Sequence, residues 1–279
     1  MKTMLFFGLG YSAQVLADRL LAAGWKVIGT SRQANLRQRW AARGATMLPF
    51  DETTALPTDI IGSASHILTS IRPDAEGDLV LLRHLTDLRA SKRLSWAGYL
   101  GTTAVYGDRD GAWVDESASL APTSERGQYR VEAERAWLES GLPAHIFRLA
   151  GIYGPGRSAI DALRAGKARR IVKEGQLFSR IHVEDIANVL EASIERPAPG
   201  TIYNVCDDEP APPQDVIAHG AHLLGVPVPP DIPFETAELS PMARSFYADN
   251  RRIRNDRIRR DLGVSLAYPT YREGLASLI

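Results

Sequence analysis

Met4-Leu-Phe-Phe-Gly-Leu-Gly-Tyr-Ser-Ala13 decides the reading of this chain. A short apolar run stops at Gly8, and Gly8, Gly10 and Ala13 then follow the spacing G-x-G-x-x-A. Val15, Leu16, Leu20 and Leu21 recur at helical spacing as far as Gly24. Strand, glycine turn and helix in that order are what a dinucleotide-binding crossover needs. Gly8 permits the tight turn, Gly10 lets the backbone approach a pyrophosphate, and a small residue at 13 lets helix pack on strand. The first helical turn, with Tyr11 and Ser12, offers main-chain N–H groups and a partial positive charge to the phosphates.

The alternation continues outward from that stretch. Trp25–Gly29, Thr46–Pro49, His66–Ser70, Ser95–Leu100 and Ala144–Leu149 read as strands, and Leu79–Leu88 and residues 129–140 as helices. Such a pattern predicts an α/β fold: a doubly wound parallel sheet covered by helices on both faces. From about residue 151 the pattern loosens, and prolines between Pro197 and Pro233 break the chain into short pieces. That composition suits a smaller, partly irregular C-terminal lobe that shapes a substrate pocket. The expected division is a cofactor domain over residues 1–155, its sheet completed by parts of 175–206, and a substrate-binding lobe over 156–279.

Bulk properties narrow the function. The 279 residues carry 33 acidic and 33 basic side chains, so nothing in the charge recruits nucleic acid or an anionic membrane. Cys206 is the only cysteine, which excludes an internal disulfide and suits a reducing compartment. No apolar run is long enough to span a bilayer, and the N-terminal stretch lacks the layout of a signal peptide. The expectation is a soluble cytoplasmic protein acting on a small molecule. No His/Cys cluster has metal spacing, and no G-x-S-x-G elbow supports a hydrolase.

The second strand speaks to the choice of dinucleotide. NAD-specific folds of this type place Asp or Glu at its end to hold the ribose hydroxyls. Here the strand reads Val27-Ile-Gly-Thr-Ser-Arg32 and no acid stands there. Ser31 and Arg32 do, with Arg37 and Arg39 shortly after. A guanidinium clamps a ribose phosphate in a fork geometry, so NADP is expected over NAD. Asp51, after Phe50, is either an acceptor for the adenine amino group or a surface turn acid.

Three later stretches carry a family resemblance. Tyr99-Leu-Gly-Thr-Thr-Ala-Val-Tyr-Gly107 resembles the strand-end motif of extended short-chain dehydrogenases/reductases, where Ser/Thr precedes Val-Tyr-Gly. Phe147-Arg-Leu-Ala-Gly-Ile-Tyr-Gly-Pro-Gly-Arg157 is similar to their R-x-x-x-x-Y-G-P-G-R segment. Arg180-Ile-His-Val-Glu-Asp-Ile186 and Tyr203-Asn-Val205 are similar to their H-V-x-D and Y-N-V segments. The resemblance, which covers nearly the whole chain, implies a Rossmann-type NAD(P)-binding domain with a C-terminal substrate lobe. It also implies epimerase, dehydratase or reductase chemistry, often on nucleotide sugars, and commonly a homodimer.

In that family a Tyr, a Lys four residues later and an upstream Ser/Thr carry the chemistry. Thr102 matches the Ser/Thr that orients the reacting oxygen. The Tyr–Lys pattern runs roughly P-x-S-P-Y-G-x-S-K-x-x-A-E, whereas this chain reads Pro122-Thr-Ser-Glu-Arg-Gly-Gln-Tyr-Arg-Val-Glu-Ala-Glu134. Matching Pro122, Ser124, Gly127 and Ala133-Glu134 puts Arg126 at the Tyr position and Arg130 at the Lys position. A second register takes Tyr129 as the catalytic Tyr and loses the Gly and Ala-Glu matches. Arg stays protonated near neutrality and transfers no proton. Arg130 retains the means to hold the nicotinamide ribose. Tyr129 is open to two readings, a displaced acid or a packed aromatic.

This departure is similar to the atypical extended group, which keeps the cofactor motif and often loses the Tyr or Lys. That group commonly carries an Asp on a helix, for which Asp78 is the best match and Asp74 a rival; both also suit a helix N-terminus. Tyr106 and Arg157 are expected at the substrate, Arg148 buried and paired, His182 fixing its loop and Asp185 capping or anchoring the next helix. The arginines between Arg251 and Arg260, interleaved with Asp249, Asp256 and Asp261, read as a solvated helix with local ion pairs. Two functions remain open: an NADP-dependent oxidoreductase or epimerase/dehydratase with its proton from Tyr129, Tyr106 or water, and a protein that senses NADP(H) without chemistry.

Overall fold

The computed structural model describes residues 1–279. Strand β1 (Thr3–Phe7) is buried at every position. A strand covered on both faces reads as a continuous apolar run, which is why Met4–Phe7 shows no alternation. Helix α1 (Tyr11–Ala22), β2 (Lys26–Thr30), α2 (Ala34–Ala41), β3 (Thr46–Leu48), α3 (Thr58–Ser63), β4 (His66–Thr69), α4 (Leu79–Ala90), β5 (Trp96–Thr102) and α5 (Glu125–Glu139) follow in chain order. Strands Ala144–Leu149 and Ile202–Val205 complete a seven-stranded parallel sheet. Its order is Ile202–Val205, Ala144–Leu149, β5, β4, β1, β2, β3. The chain winds one way from β1 through β2 to β3 and the other way from β4 to β5, so the winding reverses at β1 and β4. In doubly wound sheets that reversal opens a crevice at the carboxyl ends of the strands.

Helix α5 begins at Glu125, four residues before the expected 129. Ser124 caps it, its hydroxyl accepting from Gly127 N at 3.2 Å. The first turn, Glu125-Arg-Gly-Gln, is polar throughout and so left no apolar periodicity to read. α2 was also hidden, because only Leu36 and Trp40 of its eight residues are buried.

The chain forms two compact units that do not divide at a single point. The first contains Met1–Thr102, Ser124–Arg148 and Val189–Tyr203; the second contains Thr103–Thr123, Leu149–Asn188 and Asn204–Ile279. The second unit thus takes over directly after β5 rather than after residue 155. The chain must then return to the first unit, because the sheet lacks its last strands until Ala144–Leu149 and Ile202–Val205 are in place.

In the first unit Leu5, Phe7, Ile28, Ile67, Ala97 and Ile146 from the strands pack with Val80, Leu88 and Trp137 from α4 and α5. One ion pair lies inside this unit. Arg148 donates from Nε at 3.0 Å and from Nη2 at 2.8 Å to Glu134 Oε2, and both side chains are buried. Gly101 makes room for it, since a Cβ there would stand 2.9 Å from Glu134 Oε1. His66 is buried between Trp25 and Trp96, with ring centroids 4.8 and 6.4 Å away. Burial, with the nearby Lys2 charge, pushes its imidazolium down from 6.5 to about 4.

The second unit is built from short pieces. Gly151–Tyr153 pairs with Arg180–His182, Arg170–Val172 with Asp231–Pro233, and Trp113–Val114 with Arg252–Ile253, all parallel. Tyr153, Ile160, Val216, Tyr271 and Leu275 form one of its apolar clusters. Asp185 anchors a loop instead of capping a helix: it accepts from Ala267 N at 2.7 Å, Tyr268 N at 2.9 Å and Asn188 Nδ2 at 2.8 Å. The arginine-rich stretch is only partly helical, over Asp256–Leu262, because Arg252–Ile253 is drawn into a strand. No helix is long and apolar enough to cross a membrane.

Two outcomes test these energetics. Glu134→Gln strands a buried guanidinium and is expected to cost about 3–5 kcal/mol, read as a fall in urea midpoint, whereas an unchanged midpoint would show the pair to be solvated. Unfolding exposes His66 to protonation first, so its contribution is complete above about pH 6.5 and declines towards pH 4, by up to about 3 kcal/mol. Melting temperature should therefore fall over that window, and His66→Phe should lose part of the slope; a variant with the full slope would refute this.

Candidate active site

The site starts from the turn after β1. Gly8 has φ +84°, a conformation open to glycine and costly to other residues. Its N–H donates to Thr30 Oγ1 at 2.8 Å, and Ser70 Oγ donates to its carbonyl at 2.5 Å. A Cβ at residue 8 would stand 2.9 Å from that same Ser70 oxygen. The protein itself therefore demands a glycine at 8. Gly10 is different. It is extended, with φ −82° and ψ −174°, and an added Cβ would find its nearest neighbour, Ser70 Oγ, at an ordinary 3.7 Å. Neither backbone nor packing asks for glycine at 10, which leaves the main chain there bare on its open side. Gly10 also leaves α1 with no side-chain cap. Ser12 and Ala13 are buried behind the turn and Tyr11 is half-buried. An uncapped helix start beside a bare backbone fits a pyrophosphate.

At the end of β2, Ser31 N donates to Leu48 O at 3.1 Å, and Ser31 Oγ accepts from Gln33 N at 3.1 Å. Arg37 braces the turn: its Nη1 donates to Ser31 O at 2.8 Å and to Arg32 O at 3.0 Å. Arg32 is left exposed, its guanidinium bonded to nothing in the protein. Asp51 holds its own turn, with Oδ1 accepting from Thr53 Oγ1 at 2.7 Å and from Thr53 N and Thr54 N at 2.9 Å. The Thr53 hydroxyl and these amides keep its carboxyl below the usual range, and Oδ2 accepts no bond from the protein.

Thr102 closes β5 and is half-buried. Arg130 reaches the same strand end, donating from Nη1 to Leu100 O at 2.9 Å and to Tyr99 Oη at 3.1 Å. On α5 the buried residues include Gly127, Ala133 and Glu134, which are the positions matched in the first register. Arg126 is exposed, and Tyr129 is half-buried with no hydrogen bond from its hydroxyl. Asp78 is the N-cap of α4, its Oδ1 accepting from Val80 N at 3.0 Å and Leu81 N at 3.1 Å. Burial pushes its carboxyl up, while the Trp137 indole beside it pulls the other way. These capping bonds use Oδ1, while Oδ2 is buried without a hydrogen-bond partner.

Tyr106 corrects an expectation. It is 0% exposed, and its hydroxyl donates to Asn204 Oδ1 at 2.7 Å. Buried and engaged in this way, its hydroxyl is turned to Asn204 instead of the open surface expected for a substrate contact. The V-Y-G stretch reads like a site motif, but the strand end turns this ring inward. His182 Nδ1 accepts from Glu184 N at 3.3 Å, the loop-fixing role expected of it. Arg157 stays exposed and helps line a cavity of about 380 Å³ within the second unit. Two partners of the turn escaped the sequence reading. Thr30 and Ser70 stitch the glycine turn, and each stands just where its strand ends, which was the available signal. In the second unit Arg180, at the head of the H-V-x-D segment, lines the same cavity as Arg157.

The model of the NAD dependent epimerase/dehydratase family matches residues 8–206. A functionally unknown conserved protein of Silicibacter pomeroyi DSS has a solved structure with 53% identity and a TM-score of 0.92, covering 100% of this chain and 98% of that one. Protein YeeZ of Escherichia coli K12 is 29% identical over 243 residues, 82% of this chain and 86% of its own. A 3-diazoavenalumate denitrifying reductase from Streptomyces is 34% identical over 156 residues, 52% of this chain and 50% of that protein. The dTDP-glucose 4,6-dehydratase of Bacillus anthracis, solved with NAD, shares the fold at a TM-score of 0.79 and 14% identity, covering 99% and 94% of the two chains. With a family match over residues 8–206, the chain belongs to the NAD dependent epimerase/dehydratase family.

Proposed function

We propose that the protein binds NADP(H) and works as an oxidoreductase or epimerase/dehydratase on a carbonyl or sugar-type substrate. The observation that carries the cofactor choice is Arg32, an exposed and unengaged guanidinium on a turn that Arg37 braces, with no carboxylate beside it. Solved relatives in this family hold NAD. Those sites do not argue against NADP here, because the discriminating residue lies at the β2 end and differs between members of such folds. The similarity to a reductase supports hydride chemistry in particular.

When bound, the cofactor supplies or accepts a hydride at a substrate carbon. Gly10 and the first turn of α1 hold its pyrophosphate, Asp51 Oδ2 takes the adenine amino group, and Ser31 and Arg32 hold the 2′-phosphate. Thr102 orients the substrate oxygen. Arg130 places a permanent positive charge at the end of β5, where it steadies a ribose hydroxyl or negative charge growing on that oxygen, but it carries no proton. Arg126 stays protonated near neutrality and so transfers no proton. The proton moves through Tyr129 or water, and losing a dedicated acid costs about 10²–10⁴-fold in rate. The arginines at both positions of the missing Tyr–Lys pair favour a second reading, an NADP(H) sensor, in which cofactor binds without turnover.

Calorimetry on ligand-stripped protein tests both levels. Arg32→Ala should cut the preference for NADPH over NADH by tenfold to a hundredfold, the effect of one charge-assisted hydrogen bond of about 1.5–3 kcal/mol, and an unaltered preference would remove Arg32 from the site. Gly10→Val should keep the melting temperature within a few degrees yet abolish cofactor binding, whereas Gly8→Val should unfold the turn and lower the melting temperature. Full cofactor affinity in Gly10→Val would refute the cradle.

A further inference from the structure

The cavity of the second unit, about 380 Å³, is lined by Tyr153, Tyr271, Val216, Leu275, Arg157 and Arg180 among others. Its volume falls within the range of small-molecule sites, roughly 300–1,000 Å³, and its walls are mostly aromatic and aliphatic. Arg180 is the unusual member. Its Nη1 is fully used, donating to Phe178 O at 2.8 Å and Ala211 O at 3.0 Å. Those two bonds fix the plane of the guanidinium. Nε and Nη2 donate to nothing in the protein, and together they form the forked edge that grips a carboxylate through two parallel bonds. Elsewhere in this chain Arg148 uses that same Nε/Nη2 edge on Glu134.

The neighbouring acid does not fill the fork. Asp207 is 1% exposed, and neither of its carboxylate oxygens has a hydrogen-bond partner. It lies close enough to interact with Arg180 by charge, yet the two form no ion pair. Burial pushes the Asp207 carboxyl well up, with Arg180 opposing. The cavity therefore holds a fixed guanidinium with an open fork, a second guanidinium on Arg157, and an apolar body.

We propose that this cavity binds the carboxylate of a small acid with an aromatic or aliphatic body, with Arg180 reading the carboxylate side-on. The proposal goes beyond the function proposed above: it assigns a ligand class to a cavity that lies within the second unit. A nucleoside diphosphate sugar would ask for room for several polar rings and for donors spread along two phosphates, while this cavity offers one oriented fork and apolar walls.

Calorimetry or ligand-observed NMR on the full chain, with NADP⁺ present, tests it using benzoate, cinnamate and phenylacetate, their matched amides, inorganic phosphate and UDP-glucose. An acid of this set is expected to bind at least tenfold more tightly than its amide and than phosphate. Arg180→Lys keeps the charge and loses the fork, and should weaken the acid tenfold or more while leaving the amide unchanged. Should that variant fail to fold, Ala159→Phe narrows the same cavity from another lining residue and should abolish acid binding with NADP⁺ affinity intact. Equal binding of acid and amide, no binding of any acid, or tighter binding of UDP-glucose or phosphate would overturn the proposal. Cofactor titrations on the same samples separate the two readings. NADP⁺ binding without acid binding sinks this inference alone, and acid binding without NADP⁺ binding sinks the proposed function alone.

Discussion

The turn at Gly8 is the constraint on which the cofactor-binding unit depends. A left-handed backbone there is stitched on two sides: Thr30 Oγ1 accepts from its N–H and Ser70 Oγ donates to its carbonyl. Those residues come from the ends of β2 and β4, the two strands flanking β1. One glycine therefore ties three strand ends together and sets the height at which α1 begins. Everything meant to face a dinucleotide is measured from that point.

Around this anchor the unit separates groups whose bonding capacity is consumed from groups whose capacity is open. Glu134 and Arg148 are sealed inside and satisfy each other, and Asp78 spends one oxygen on the start of α4. Arg37 spends its donors on main-chain carbonyls. Arg32 and Asp51 Oδ2 are among the groups that bond nothing in the protein, and they are the ones the proposed function uses. Side chains of the same type thus have opposite meanings according to whether their bonding capacity is already consumed, and that distinction lies in the structure rather than in residue identity.

The same distinction explains what was legible beforehand. The five strands read from the first half of the chain lie within two residues of their observed ends, because buried parallel strands are short apolar runs bounded by turns. The polar first turn of α5 and the thinly buried α2 had no such contrast and were misplaced or missed. The glycine cradle was readable because its three positions are close in sequence and each has its own steric reason. Tyr106 was misread since a motif says which residue is present and not which way its ring turns. The Arg180 cavity was invisible because Tyr153, Arg180, Val216 and Tyr271 lie far apart in the chain and meet only after folding.

The interleaving of the two units has a consequence for biogenesis. The sheet order places Ile202–Val205 at the rim, with Ala144–Leu149 between it and β5. A nascent chain on the ribosome therefore carries an unfinished sheet, with a hydrogen-bonding edge open to solvent, until about three-quarters of its residues have emerged. Unsealed edges of that kind recruit other strands. Emergence of Tyr203-Asn-Val205 is thus the moment at which Ala144–Leu149 ceases to be the rim and the sheet has all seven strands.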